Sequence, residues 1–581
     1  MSLRDRILAA AGKQPADFVL KNAKVVNVFA ETVEPADIAV VDGIIVGTGS
    51  YEGKEEVDLK GKYVAPGLID GHVHLESSMT APWEFEKMAL PHGTTTVITD
   101  PHEIANVAGT DGIRFMLETT KSMDLDVYVM LSSCVPATAL DESGAALSAE
   151  DLAPLLDEAR VLGLAEMMNA YGVVHGEEGC LNKIELANGR GLPVDGHAPL
   201  LCGKELNAYI TAGIHSDHEC ISFTEAQEKY AKGQWIMVRE GTAAKNLEAL
   251  LPMFEAPYYQ RCLLVTDDKH PGDLLREGYI DEMVRYAVKR GADPIRAIRM
   301  GSLNAASYFG LKQVGAVSCG YQADLVVFDD LKHLRVEAVY KKGRLVAEQG
   351  RYKNGKTAVI LPEERAHAFP EIYKSIHCGF LTEEQFKLRE QGTQERVIDL
   401  VNGQITTQER ILPWTELPGY APGVDPAQDV IKMAVIERHR NTGHIGLGFL
   451  GNYGLKRGAV ATTVAHDSHN LIVVGLNDAD MILAANAVIQ NQGGLAIAEG
   501  GKVVDTLPLP IAGLMADLPI QIVDEKLEHM KELLRSFGVS PEIDAFMTLS
   551  FSCLTVIPEL RLSTFGPVDV KSQQIVPAVF S

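Results

Sequence analysis

Two histidines separated by one residue are the first feature of this sequence that could do chemistry. His72 and His74 close the segment PGLIDGHVH, residues 66–74, which reads as the end of a β-strand. Residues i and i+2 of a strand point to the same face, so both imidazoles can bind one metal ion at about 2.0–2.1 Å. The spacing is typical of metal ligands, although two unrelated strand histidines would have the same spacing.

Further side chains of metal-ligand type follow other apolar, strand-like runs. They are Glu166 in GLAEMM, His197 in VDGHAP, His215 and His218 in IHSDHE, and Asp267 and Asp268 in VTDDKHP. Strand alternation puts the two histidines of IHSDHE on opposite faces, so the pattern leaves both of them open as the ligand. The two aspartates of VTDDKHP compete in the same way.

Even with one histidine from IHSDHE, the set contains four histidines and two carboxylates, more than one tetrahedral zinc ion needs. We therefore predict two divalent ions bridged by a carboxylate and a hydroxide, with Glu166 as the bridge. His72, His74 and the aspartate of VTDDKHP hold the first ion, and His197 and the IHSDHE histidine hold the second. The imidazoles must be neutral to bind metal, so occupancy should fall in acid.

The elements that carry these residues repeat in a regular way. Between residues 64 and 312, eight apolar strand-like runs alternate with segments of helical periodicity. Eight βα repeats in this length predict a (β/α)8 TIM barrel, an α/β fold whose active site forms at the C-terminal ends of the strands. A doubly wound sheet would not bring ligands from five strands to one point so easily.

The regions on either side of the barrel have a different texture. Residues 1–63 and 313–362 read as short β-branched strands broken by glycine and asparagine, and we predict that they are two parts of one split β-sandwich domain. Residues 363–581 contain Pro-containing loops, strands and helices, which predicts a separate C-terminal α/β domain. The expected organisation is therefore three domains.

Composition limits the partners and the compartment. The 581 residues include 53 Lys plus Arg against 78 Asp plus Glu, a formal charge of -25, which disfavours nucleic acid and anionic membranes as partners. The N-terminus lacks a signal-peptide core, no apolar run is long enough to span a membrane, and the eight cysteines form no CxxC pair. We expect a cytoplasmic protein, and a homodimer is a reasonable expectation for an enzyme of this size.

Several longer motifs carry a family resemblance. PGLIDGHVH, GTTTV at 93–97, SLNAA at 302–306 and GYQADLVVFD at 320–329 resemble the amidohydrolase superfamily. A closer resemblance, to the bacterial adenine deaminases, covers essentially the whole chain. Its motifs are HVHLESSMT (72–80), TDPHEIANV (99–107), the Glu166 strand, DGHAP (195–199), SDHE (216–219), TDDKHP (266–271) and VAHDSHN (464–470).

The resemblance implies the hydrolysis of adenine to hypoxanthine and ammonia, a reaction of purine salvage, with water as the second substrate. It implies two divalent ions, Mn²⁺ or Fe²⁺ or Zn²⁺, and it favours His218 and Asp267 over their competitors. Relatives that open cyclic amides often bridge their metals with a carboxylated lysine. The residue on the fourth strand here is Glu166, which argues against that subgroup. The alternatives are another amidohydrolase, acting on a cyclic amide or a different nucleobase, and a binding scaffold with structural metals.

Roles in the reaction follow for several carboxylates and for one histidine. Asp267 is expected to move the proton of the attacking water as general acid and base. Glu219 and Glu103 are the candidates for protonating the ring nitrogen and the leaving amine. His102 and Glu103 contact the purine or a further metal, or else they cap a helix. Glu76 orients a metal ligand or begins a helix.

Two signals lie in the C-terminal region. His466, Asp467 and His469 predict a loop over the barrel mouth, a second metal site, or a surface turn. The segment GLGFLG, residues 446–451, matches GxGxxG, but a further strand-like run follows it where a dinucleotide site needs a helix. We therefore expect no nicotinamide cofactor.

Overall fold

The computed structural model describes residues 3–242, 244–353, 367–389, 391–402 and 404–581. The predicted boundary between residues 362 and 363 lies outside these ranges. Within them, no helix is both long and apolar enough to cross a membrane. The chain is a mixed α/β protein.

The chain starts with the helix Leu3–Ala10 and five strands. These are β1 (Ala16–Asn27), β2 (Thr32–Val41), β3 (Ile44–Gly49), β4 (Gly53–Asp58) and β5 (Tyr63–Pro66). They contain the β-branched runs that the sequence analysis identified.

Eight strands follow, one for each apolar run between residues 64 and 312. They are β6 (Leu68–Val73), β7 (Thr94–Thr99), β8 (Asp126–Leu131), β9 (Val161–Met167), β10 (Val194–Gly196), β11 (Ser216–Asp217), β12 (Trp235–Arg239) and β13 (Cys262–Val265). The order β10-β9-β8-β7-β6 forms one parallel sheet, and β11-β12-β13 forms another. Strands β6, β7 and β13 are buried along their whole length, as expected for parallel strands covered on both faces.

Contacts between β6 and β13 and between β10 and β11 connect the two parallel sheets. Val73 and Asp267 form a parallel bridge, and the Asp267 amide donates to the His72 carbonyl at 2.9 Å. At the other edge, the His215 amide donates to the Val194 carbonyl at 3.4 Å. The C-terminal ends of the strands therefore meet on one side of the molecule.

Helices connect most of these strands. The α-helices of this region are Pro82–Ala89, His102–Thr119, Ala149–Leu152, Ala170–His175, Glu178–Asn188, Gly203–Thr211, Phe223–Ala231, Pro271–Arg276, Ile280–Lys289, Pro294–Arg299 and Ala305–Tyr308. Only short 3-10 turns, Leu251–Phe254 and Tyr258–Arg261, are described between β12 and β13.

The strands after this region return to the first sheet. They are β14 (Leu325–Phe328), β15 (Val336–Lys341), β16 (Arg344–Glu348) and β17 (Arg351–Tyr352). β14 pairs with β5 antiparallel, with Leu325 opposite Pro66, so the two flanks share one sheet of nine strands. A sandwich was predicted from these flanks. In the structure, eight of the nine strands follow one hydrogen-bonded path, and β4 pairs with β1 off this path.

The C-terminal region is built on a second large sheet. Its strands are β18 (Gln394–Leu400), β19 (Thr407–Pro413), β20 (Val430–Ile436), β21 (Ile445–Gly451), β22 (Ala459–Thr462), β23 (Leu471–Gly475), β24 (Gly494–Glu499), β25 (Lys502–Pro508), β26 (Leu560–Ser563), β27 (Gly566–Asp569), β28 (Gln574–Ile575) and β29 (Val579–Phe580). Strands β18–β25 and β29 form nine strands of one sheet, and β26–β28 form a small separate sheet. The glycines of GLGFLG lie in β21, where a Cβ on Gly446 would meet the Ser563 carbonyl oxygen at 1.9 Å.

Two helices cover opposite faces of that sheet. Ile520–Ser536 packs Val523, Leu527, Met530 and Leu534 onto one face, a spacing of three to four residues that keeps one stripe of the helix inward. Asp478–Gln490 packs on the other face. Among the described residues, two further α-helices, Pro370–Tyr373 and Met547–Ser550, are single turns. A parallel bridge between Thr80 and Ala516 joins this region to the loop after β6.

A buried lysine connects the first sheet to β8. The Lys341 ammonium lies 2.6 Å from an Asp324 oxygen and 2.7 Å from an Asp126 oxygen, and its side chain is 1% exposed. Lys342 pairs with the same Asp126 at 3.1 Å, but its side chain is 48% exposed. The two neighbouring lysines therefore differ in burial while they share one partner.

We predict that Lys341→Ala lowers the free energy of unfolding by about 3–5 kcal/mol, because it leaves the Asp324 carboxylate buried without its cation. Lys342→Ala is the matched control and should cost less than about 1 kcal/mol, as exposed pairs do. Urea unfolding followed by circular dichroism measures both. Equal losses in the two variants would contradict the assignment of the buried pair as the important one.

Candidate metal centre

The six residues predicted as metal ligands meet at the C-terminal ends of the parallel strands. His72 is in β6, and Glu166 is in β9. The other four follow strands: His74, His197 and His218 come directly after β6, β10 and β11, and Asp267 is the second residue after β13. All six side chains are buried. The competitor His215 is exposed and lies outside the group.

Glu166 lies at the centre of the group, and each of its oxygens faces two of the four histidines predicted as ligands. Its Oε1 is 3.4 Å from the Nε2 of His74 and 3.6 Å from the Nε2 of His72. Its Oε2 is 2.7 Å from the Nδ1 of His197 and 3.1 Å from the Nε2 of His218. One carboxylate therefore faces two pairs of histidines, as a bridging ligand must.

Asp267 lies beside the first pair of histidines, His72 and His74. Its Oδ1 lies 3.0 Å from the Nε2 of His74 and 3.7 Å from that of His72. The backbone of Asp267 is left-handed, with φ 60°, which is uncommon outside glycine and occurs often at functional sites. Its competitor Asp268 accepts a hydrogen bond from the Ser77 hydroxyl.

The spacing of these atoms fits a cation. Two ligands about 2.1 Å from a tetrahedral ion lie about 3.4 Å apart. The distances from His72 and His74 to Glu166 and Asp267 fall between 3.0 and 3.7 Å. The buried Nε2 of His72 has no hydrogen-bond partner among the described residues. An ion would satisfy this nitrogen, which is otherwise costly to bury.

Neighbouring groups fix the ligands in place. The Nδ1 of His74 lies 2.9 Å from the Asp100 carbonyl oxygen, so it donates there and leaves the lone pair of Nε2 for a metal. Asp70 accepts from the His72 amide at 3.1 Å and from the Thr266 hydroxyl at 2.5 Å. This carboxylate thus ties the end of β6 to the end of β13.

The charges of the group depend on one another. Burial raises the pKa of Glu166, but the imidazoles of His218 and His197 outweigh burial and hold that pKa well below its usual value. Burial lowers the pKa of His218, but the Glu166 carboxylate outweighs it and raises the pKa well above 6.5. Without an ion, protons therefore occupy part of the group.

Arg239, at the end of β12, is a component that the sequence analysis missed. Its Nη1 lies 2.8 Å from the Oδ2 of Asp267, and its guanidinium also binds both oxygens of Glu219. Burial raises the pKa of Glu219, but Arg239 and His197 outweigh it and lower the pKa, so Glu219 stays ionised and carries no proton to donate. The available signal was a charged residue directly after the apolar run WIMV.

His102 and Glu103 begin the helix His102–Thr119, but neither side chain caps it. The Nδ1 of His102 is 2.9 Å from an Asp100 carboxylate oxygen and 3.4 Å from the Oε1 of Glu166. Glu76 supports this helix from outside the ligand group, because its Oε1 accepts from the Ile104 amide at 3.2 Å. Burial and the charge of Glu103 raise the pKa of Glu76 to about 7.

Glu103 connects the centre to the C-terminal region. Its Oε1 lies 2.7 Å from the Nδ1 of His466, and its Oε2 binds the Nε2 of His469. These histidines and Asp467 are buried, so their segment is not a surface turn. It lies against the helix that follows β7.

A cavity lies between the metal-ligand group and this segment. Its walls are formed by His74, His102, Glu103, Glu166, Met168, His197, His218, Glu219, Arg239, Gly241, Ala244, Asp267, Asp268, Ile405, His466, Asp467, Phe551, Leu554 and Ile557. Polar groups line one part and apolar side chains the other, which is typical of a small-molecule site.

The family comparisons agree with this geometry. The amidohydrolase family matches residues 63–346, and the adenine deaminase C-terminal domain matches residues 404–574. The ring of histidines and carboxylates at strand ends is thus that of an amidohydrolase, a class of hydrolases that typically use divalent metals.

Relatives that align over the full length identify the family within this class. Adenine deaminase 2 of Carboxydothermus hydrogenoformans is 46% identical over 575 residues, and adenine deaminase of Kosmotoga olearia is 46% identical over 580 residues; each alignment covers 99% of both chains. The chain belongs to the adenine deaminase family. A crystal structure of an adenine deaminase, 19% identical, covers 57% of this chain and 100% of that chain with a TM-score of 0.44.

We predict that Arg239→Met destabilises the metal-free protein by about 3–5 kcal/mol, because Glu219 and Asp267 then remain buried without their shared cation. Arg239→Lys keeps the charge but not the planar fork, so its loss should be smaller. Urea unfolding in the presence of a chelator measures both variants. A loss below about 1 kcal/mol for Arg239→Met would contradict this role of the ion pair.

Proposed function

We propose that this protein deaminates adenine, which it hydrolyses to hypoxanthine and ammonia. The observation that carries the proposal is the Glu166 centre, in a chain that matches adenine deaminases along its whole length. A neutral base also suits a chain with a net charge of -25, since it needs no basic groove.

Two divalent ions, Mn²⁺ or Fe²⁺ or Zn²⁺, would be held by the six ligands. His72, His74 and Asp267 would hold one ion, His197 and His218 would hold the other, and Glu166 would serve as a ligand for both. Such ions supply charge stabilisation and a lowered pKa for the attacking water. The two facing pairs of histidines on Glu166 support two ions rather than one.

The protein's own groups position the water and move its proton. Asp267 accepts the proton through its carboxylate, whose Oδ2 is also bound to Arg239. Attack at C6 of adenine forms a C–O bond and breaks the bond to the exocyclic nitrogen. One proton of the attacking water ends on the ring nitrogen of hypoxanthine, and the other goes to the exocyclic nitrogen, which leaves as ammonia. Glu219 is poorly suited to give that proton because Arg239 keeps it ionised.

The fold that presents these groups is proposed to be a closed (β/α)8 barrel. The bridge between Val73 and Asp267 and the hydrogen bond between His215 and Val194 support closure of the two parallel sheets. We propose residues 64–312 as the barrel, 1–63 and 313–362 as the split β-domain, and 363–581 as the C-terminal domain.

The first test of the proposed function is catalysis itself. Protein loaded with Mn²⁺ should release ammonia from adenine and form hypoxanthine, and chelation should abolish both. Chromatography of the products and an ammonia assay, run with a panel of nucleobases and cyclic amides, measure this. Turnover of another panel member without any turnover of adenine would overturn the proposal.

Substitution of the ligands separates metal binding from proton transfer. His72→Ala should lose metal and turnover together, whereas Asp267→Asn should keep much of the metal and lose about 10²–10⁴-fold in kcat. Metal analysis and steady-state kinetics measure both. His218→Ala has a matched control in His215→Ala, an exposed neighbour that should keep metal and activity. Full activity of Asp267→Asn would contradict the proposed proton shuttle.

Metal affinity should rise with pH. The pKa of His218 and that of His74 are raised above the usual value of about 6.5, since nearby carboxylates outweigh burial. Both must lose a proton to bind metal, so protons compete with metal up to a pH above 6.5. Titration calorimetry with Mn²⁺ in buffers of different ionisation enthalpy should show proton release. An affinity independent of pH from 6 to 8 would contradict this.

A further inference from the structure

We propose that His466 and Asp467, which the C-terminal domain contributes, bind the purine ring in the active site. The Nε2 of His466 donates a hydrogen bond to a ring nitrogen, and the Oδ2 of Asp467 accepts one from an N–H group of the base. The inference rests on the proposed deamination of adenine. It gives the C-terminal domain a direct role in substrate recognition.

The two residues lie on the segment between β22 and β23. Their side chains line the same cavity as His74, Glu166 and Asp267. His466 is 2% exposed and Asp467 is 4% exposed. A substrate in contact with the metal ligands therefore also faces these two side chains.

Both side chains have an unused polar atom. The Nε2 of His466 and the Oδ2 of Asp467 are buried without a hydrogen-bond partner among the described residues. Leaving such a group unpaired is unfavourable, because it has lost its hydrogen bonds to water. Native proteins rarely keep unpaired buried groups in a cavity wall unless a ligand or an ordered water satisfies them.

Glu103 determines which nitrogen of His466 faces the cavity. The Nδ1 of His466 donates to the Oε1 of Glu103 at 2.7 Å, so Nε2 is the free nitrogen. Burial lowers the pKa of His466, but the carboxylates of Glu103 and Asp268 outweigh burial and raise it to about 9. Asp467 adds to this rise. In the charged form Nε2 carries a proton, and His466 is a donor.

His469 holds Glu103 in place and argues against a metal at this cluster. The Ala465 amide donates to the Nδ1 of His469 at 3.0 Å, so the proton of the neutral ring is on Nε2 and is donated to Glu103. Burial lowers the pKa of His469 to about 3, which keeps the ring neutral. A metal on Nε2 would need a proton on Nδ1, facing the Ala465 N–H. The cluster therefore positions His466 by hydrogen bonds.

The free atoms match the edges of adenine. Each edge of the neutral base presents a ring nitrogen with a lone pair beside an N–H group, which pairs with one donor and one acceptor. Phe551 stacks on the His466 ring at 4.5 Å between centroids and 11° between planes. With Met168 and Leu554 it gives the cavity apolar surfaces suited to a flat ring.

Two substitutions of His466 separate its two nitrogens. His466→Asn keeps an amide N–H near the position of Nδ1, for Glu103, and removes Nε2. His466→Gln places an amide N–H near the position of Nε2. We expect His466→Asn to raise the KM for adenine about 10- to 100-fold with kcat changed less, and His466→Gln to recover part of the loss. Asp467→Asn should also raise KM. Metal content and Tm should stay at the wild-type values.

Adenine analogues that lack one ring nitrogen test the same contact in the wild-type protein. Binding of 1-deaza-, 3-deaza- and 7-deazaadenine is measured against adenine, since each lacks one ring acceptor. One analogue should bind wild-type protein at least about tenfold more weakly, and His466→Asn should reduce that difference to about twofold. His529→Asn, an exposed histidine of the same domain, is the control and should keep the wild-type pattern.

The results distinguish this inference from the proposed function. If wild-type protein fails to deaminate adenine, the proposed function fails. If wild-type protein deaminates adenine, but His466→Asn and Asp467→Asn keep KM within about twofold, the purine contact is wrong. Equal binding of adenine and all three analogues to wild-type protein would also overturn it, even if no variant folds.

Discussion

Glu166 is a buried carboxylate held among the imidazoles of four predicted metal ligands, and taking such an ion out of water costs several kcal/mol. The protein offsets this cost with groups that are themselves fixed. His74 is held by the Asp100 carbonyl, and the end of β6 is tied to β13 through Asp70. The ends of five strands must therefore lie within a few ångströms, and the parallel sheets supply that arrangement.

The same requirement explains the surroundings of the centre. Arg239 neutralises the oxygen of Asp267 that faces away from the histidines, and Glu219 completes this buried ion pair. Glu103 extends the charged group to the C-terminal region through His466 and His469. The cavity is thus bounded by metal-ligand types on one side and by a segment from another sheet on the other. Both regions therefore contribute to the walls of the cavity.

Prediction from sequence worked where local periodicity carries the information. The eight apolar runs are eight strands, and the i, i+2 spacing of His72 and His74 places both Nε2 atoms at one carboxylate. Strand alternation did not distinguish between His215 and His218 as the metal ligand, because β11 is only two residues long. The strand ends at Asp217, so alternation does not extend to His218. Arg239 could not be predicted from the sequence, because its partners Glu219 and Asp267 lie near it only in the folded chain.

The amino-acid sequence by itself determined the elements, the ligand types and the family, since these depend on periodicity, residue chemistry and motifs read along the chain. Tertiary structure alone decided which further groups join the predicted ligands in the site. His466 lies more than 360 residues from Glu103 in sequence, and their hydrogen bond exists only because the loop after β22 packs on the helix after β7. Protonation and partner choice depend on burial and on neighbours in space, which sequence order does not encode.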